Sequence, residues 1–146
     1  MNLKELREGI QIDRTKIDRE LCMQAACFVS ASEMALEAEQ NFKLKELQHN
    51  EFLATKDEEL RSSFAAKKPT VAEMEAAMNR DKEVMAARLE MLRYDTNRRM
   101  IAILRDGWRS RKDMLIQIAI DLRSERENLN PFLKSKGSQT DQSLTV

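Results

Sequence analysis

Six basic side chains, Arg98, Arg99, Arg105, Arg109, Arg111 and Lys112, stand within fifteen positions of one another, and Asp106 is the only acid among them. Arginine predominates, and its planar fork suits phosphate and can stack on bases. On a helix turning about 100° per residue, Arg98, Arg105 and Lys112 fall on one line with Arg109 close by. Two readings stand side by side. The cluster is either a solvated face, with Arg105, Arg109 and Lys112 paired to Asp106, Asp113 or acids of an earlier helix, or a strip that binds the phosphates of a single strand. Trp108, in the middle of the cluster, is either a stacking platform or a core residue. Lys67 and Lys68 form a second basic point, with Arg61 one or two turns before them.

Catalytic chemistry has little to work with. His49 is the only histidine, and it lies in a charged stretch. Cys22 and Cys27 are five apart, so on a helix they point in different directions and suit neither a redox pair nor a zinc clip. No glycine-rich phosphate loop, metal-ligand spacing or nucleophile elbow is present. The expectation is a protein without catalytic residues, cofactor or metal, and not an enzyme.

The elements that position the cluster follow from periodicity. From Asn79 to Arg126 there is no proline, and Gly107 is the only glycine. Ile101, Leu104, Trp108, Leu115, Ile118 and Leu122 recur there at the spacing of one helix face, which reads as a packing and oligomerisation seam. Upstream, residues 2–8 form a short helix ended by Gly9, and Asp13 or Thr15 caps the next. Ile17, Leu21, Ala25, Phe28, Ser32, Ala35 and Leu36 mark its face. Nothing stops this helix before Pro69; at ~1.5 Å per residue it would run roughly 75 Å, so a bend near Gln48 to Asn50, or a protruding hairpin, is expected. Lys67-Lys68-Pro69-Thr70 is the hairpin turn, and Thr70 to Glu73 is a capping box that opens the return helix. That helix continues through Val84, Met85 and Leu89, with a break near Asp95 to Asn97 or at Gly107, where the apolar phase shifts. The expected fold is therefore all-α, a long helical hairpin with a C-terminal helix used for oligomerisation. It divides into an N-terminal segment (1–11), a helical core (12–128) and a flexible tail (129–146).

Composition agrees with that outline. Of 146 residues 34% are charged and 5% aromatic, with three glycines and two prolines, so a lone core would be thin and a homo-oligomer is expected. Formal net charge is zero, yet residues 1–77 hold 11 Lys/Arg against 15 Asp/Glu, and residues 78–126 hold 12 against 8. A local basic patch can steer an anionic partner despite overall neutrality. No apolar run approaches the ~20 residues of a membrane span, and the charged start MNLKELREG is no signal peptide, so a cytoplasmic location is expected.

The segment Ile12-Asp13-Arg14-Thr15-Lys16-Ile17, followed by Glu20, resembles the opening of the first core helix in the UvsY family of phage recombination mediators. Asp81-Lys82-Glu83-Val84-Met85 is similar to the start of a later helix in that family, and Ser110-Arg111 follows at a similar spacing. The resemblance spans about residues 12 to 123. It implies a ring-like homo-oligomer in the host cytoplasm that binds single-stranded DNA in recombination, repair and replication. Such a protein helps a phage recombinase displace single-strand-binding protein and hydrolyses no ATP itself. In the family the end of the first core helix carries a basic and aromatic DNA-binding stretch. Here the corresponding residues keep Lys56 and Arg61 but carry Asp57-Glu58-Glu59 and lack the tyrosines, which leaves Lys67, Lys68 and the strip from Arg98 to Lys112 as further candidates. The alternative class is a structural coiled-coil scaffold, chaperone or adaptor with no nucleic-acid activity.

Overall fold

The computed structural model describes residues 1–64 and 67–137, and the protein is all-α. Helix α1 (Leu3–Glu8) and a 3-10 turn (Arg14–Lys16) precede α2 (Ile17–Ser63), α3 (Val71–Arg80) and α4 (Lys82–Gly137). No strand occurs among the described residues. Each start has a local cause. Asn2 and Glu5 close a capping box on α1, Asp13 accepts from the Thr15 N–H at 2.9 Å, and Thr70 with Glu73 forms the expected box on α3. Among the described residues no helix is long and apolar enough to cross a membrane.

Four expectations about continuity are corrected. Helix α2 runs unbroken through Gln48 to Asn50, because nothing there removes a hydrogen bond from the ladder. Helix α4 likewise runs through Asp95 to Asn97 and through Gly107. The break falls instead at Asp81, which is extended (φ −69°, ψ 121°) and whose carboxylate accepts from the N–H groups of Glu83 at 2.8 Å and Val84 at 3.1 Å. One residue thus ends α3 and caps α4, so the return strand of the hairpin is two helices. At the far end α4 passes the expected boundary at 128 and contains Pro131, whose lost N–H removes one bond at an exposed turn. Residues 138–146 of the expected tail lie outside the described residues.

The chain forms two compact units, Met1–Val29 with the chain from Asp106 onward, and Ser30–Arg105. In each, a stretch of α2 lies antiparallel to a stretch of α4, as the pairs Glu20–Arg111 and Gln24–Trp108 show in the first and Glu39–Arg98 and Lys45–Glu90 in the second. The first unit is built on Leu6, Ile17, Cys27, Trp108 and Leu115, all buried. The second buries Ala31, Ala35 and Ala38 of α2 with Met74, Val84 and Leu104.

These cores revise the sequence reading of both faces. The inner edge of α2 is Ile17, Gln24, Cys27, Ala31, Ala35 and Ala38, whereas Leu21 and Leu36 stand exposed. Small residues let the partner backbone come close, which selects them over the bulkier line one position away. The seam read as an oligomerisation surface is largely the chain's own core. Leu104, Trp108 and Leu115 are buried within the chain, and Ile101, Ile118 and Leu122 are half-buried.

Candidate nucleic-acid interface

The charged cluster divides according to what each cation already touches. Arg111 is drawn inward. Its Nε donates to the Ile10 carbonyl at 3.1 Å, Nη1 to Gln24 Oε1 at 2.9 Å, and Nη2 to the Gln11 carbonyl at 3.4 Å and to Glu20. The guanidinium also lies 4.8 Å from the centre of the Trp108 ring. Trp108 in turn donates from Nε1 to the Leu6 carbonyl at 3.1 Å, and its own carbonyl accepts from Gln24 Nε2 at 2.5 Å. Backbone is packed tightly around this knot. A Cβ on Gly107 would stand 2.7 Å from Ile10 Cδ1, and one on Gly9 would stand 3.3 Å from Trp108 Cζ2. Gly9 has an ordinary αR backbone, so close approach rather than a left-handed cap accounts for it. Burial also pushes the nearby Cys27 thiol up, which keeps it protonated and inert.

Two more of the proposed phosphate ligands are occupied within the second unit. Arg98 stacks 4.1 Å from the Phe42 ring centre and pairs with Asp95 at 2.5 Å and Glu39 at 3.2 Å. Its hydrogen bond holds the Asp95 carboxyl below the usual Asp range. Lys56 pairs with Glu83, with Glu59 at 3.1 Å and with Asp81 at 3.9 Å, and the first two carboxylates hold its ammonium above the usual Lys value. Arg99 bonds Asp95 at 2.9 Å, Arg61 bonds Asp57 at 2.6 Å, and Arg105 is half-buried and engaged. Of the expected binding residues, Arg111, Arg98 and Lys56 have their charge already met by neighbours at short range. Lys67 and Lys68 are exposed.

Arg109 and Lys112 are the exposed remainder of the strip, and they face something the sequence did not announce. In the first unit they border a groove of about 610 Å³ floored by Leu21, Ala25, Phe28 and Ile116. Arg109 lies 6.0 Å from the Phe28 ring centre, and its one described carboxylate partner, Asp106, is 3.5 Å away and exposed. Leu21 also borders a second hollow of about 290 Å³ that carries Arg14, Arg123 and Arg126 with Asp18. The two hollows thus meet at Leu21, with Arg109 and Lys112 on the apolar one and Arg14, Arg123 and Arg126 on the one that also holds Asp18. Arg123 and Arg126 are one turn apart on α4, which the sequence could have flagged; that Arg14 joins them depends on α2 packing against α4.

An apolar floor with an aromatic edge and a cationic rim can take the flat faces of unpaired bases while the guanidinium and ammonium groups meet phosphates. No family model, curated protein or solved structure matches the chain.

Proposed function

We propose that this protein binds single-stranded DNA as a ring-like homo-oligomer and acts as a recombination mediator, helping a recombinase onto strands covered by single-strand-binding protein. The observation that carries the reading is the pair of adjoining hollows in the first unit, where Arg109 and Lys112 border an apolar floor containing Phe28 and Arg14, Arg123 and Arg126 line its neighbour. Part of the stretch that resembles the UvsY family supports it from a second side, because Ile12 to Ile17, Glu20 and Ser110-Arg111 belong to this same unit, whereas Asp81 to Met85 belong to the other. Asp13 caps the turn before α2, and Arg111 of the Ser110-Arg111 pair holds Glu20. In a ring each modest patch recurs around an axis, so one strand touching several copies gains affinity by multivalency and a neutral subunit suffices.

Fluorescence anisotropy of a labelled single-stranded oligonucleotide tests this at low and moderate salt. Tight, salt-sensitive binding that is lost in Arg109→Ala/Lys112→Ala and in Arg123→Ala/Arg126→Ala is the expected result. Binding unaffected by both double variants would refute the groove as the site. The scaffold reading has its own support in the neutralisation of Arg98, Arg111 and Lys56 by internal partners, and it requires that the oligonucleotide be ignored at every salt concentration.

A further inference from the structure

The second unit carries two unpartnered apolar lines on opposite sides of its helix pair. On α2, Leu36, Leu44 and Leu47 are 60 to 67% exposed. They stand across the helix from the buried line Ala31, Ala35 and Ala38, at about 100° per residue. On α4, Met85, Leu89, Leu92, Met100 and Ile103 are 47 to 71% exposed. Met85 and Ile103 are eighteen residues, or about five full turns, apart and so lie in line, well away from buried Val84.

The borders of these lines differ in sign. Glu33, Glu37, Glu51 and Glu58 flank the α2 line, with Lys43 and, five turns further on, Arg61 as the bases beside it. Lys82, Arg88, Arg93 and Arg99 flank the α4 line, all exposed. None of the four glutamates is held in an ion pair among the described residues, while Arg99 pairs with Asp95 of its own helix and Arg88 donates from Nη1 to Asn79 Oδ1 of α3 at 2.7 Å. Two α4 lines facing each other would set arginine against arginine, and two α2 lines would set glutamate against glutamate. An α2 line facing an α4 line sets glutamate against arginine or lysine over the stretch from Leu47 to Glu58.

Spacing gives the same pairing a register. Leu36 and Leu47 are eleven residues apart, and so are Leu92 and Ile103. An antiparallel alignment that sets Leu47 against Leu92 therefore sets Leu36 against Ile103. Glu51 lies four residues beyond Leu47 and Arg88 four before Leu92, so they oppose each other, with Glu58 beside Lys82.

We infer that the outer face of α2 in one subunit docks antiparallel on the outer face of α4 in a second copy of this chain. The contact is heterologous, because each subunit offers a different face at each side, and such contacts close into rings when the rotation between copies permits. The inference specifies the contact of the proposed homo-oligomer and rests on that part of the proposed function.

Light scattering on the full chain without DNA tests it. Wild type is expected at several times the mass of one chain. Leu47→Asp and Leu92→Asp are each expected as helical monomers, since both side chains are exposed and their removal leaves the cores intact. Mixed in equal amounts they should form a dimer and nothing larger, through the one intact face of each. Glu51→Arg should weaken assembly, and adding Arg88→Glu in the same chain should restore it. Wild type at the mass of one chain, a Leu47→Asp variant at wild-type mass, or a mixture that stays monomeric would each overturn the contact. A monomeric wild type that still binds the oligonucleotide overturns the contact alone, because the cationic groove lies in the other unit. An oligomer of the expected kind that ignores the oligonucleotide supports the contact and removes the proposed function.

Discussion

Arg109 and Arg111 are two residues apart, on the same helix, and have opposite fates. The 200° between them turns one guanidinium to solvent and the other into a site where it is 3% exposed and bonded through all three nitrogens. Removing one partner of a buried charged pair leaves the other without compensation. Arg111→Ala is therefore expected to lower unfolding free energy by about 3 kcal/mol, the lower end for such pairs because Glu20 keeps some solvent contact. Arg109→Ala should stay within about 0.5 kcal/mol of wild type. Urea unfolding followed by circular dichroism measures both, and equal losses would contradict the division. Composition marks both residues as basic, but only the backbone carbonyls of Ile10 and Gln11 with Gln24 and Glu20 make one of them structural.

At the scale of elements, caps were legible and continuity was not. Asp13 with Thr15 and Thr70 with Glu73 bond across two or three residues, so sequence distance and spatial distance nearly coincide; Asn2 with Glu5 does the same, though the sequence reading names no cap there. Asp81 obeys the same rule but is embedded in a helical pattern without glycine or proline, so periodicity alone runs through it, while the resemblance sets a helix start there. Its carboxylate satisfies two N–H groups at the start of α4, so Asp81→Ala is expected to cost about 1 kcal/mol. Asp81→Asn, which keeps the cap, should cost less; thermal unfolding of the two variants distinguishes a cap from the longer ion pair with Lys56. Gly107 shows the converse. A glycine inside a helix costs up to about 1 kcal/mol in propensity, which is why it read as a break, yet here the room it leaves is filled by Ile10.

At the scale of the whole molecule, zero net charge and local binding are reconciled by where the charges sit. The two adjoining hollows group Arg14, Arg109, Lys112, Arg123 and Arg126, so the log–log salt dependence of single-strand binding per subunit should not exceed about −3.5, at about −0.7 for each phosphate met. Arg123→Ala/Arg126→Ala should reduce the slope by about 1.4. Anisotropy titrations across salt concentrations give the number, and an unchanged slope would exclude these two arginines from contact. What the sequence by itself determined was the all-α class, the hairpin turn before Thr70, and three helix starts, because helical periodicity and capping act over a few residues. Tertiary structure decided which of two neighbouring lines on α2 and α4 faces inward. It thereby decided that Leu104, Trp108 and Leu115 are core, that Arg98, Arg111 and Lys56 are already paired, and that Phe28 and Leu21 floor a groove between distant basic residues. Those outcomes depend on close approach between segments some eighty residues apart, where small side chains win the interface and long charged ones find partners that no local pattern records.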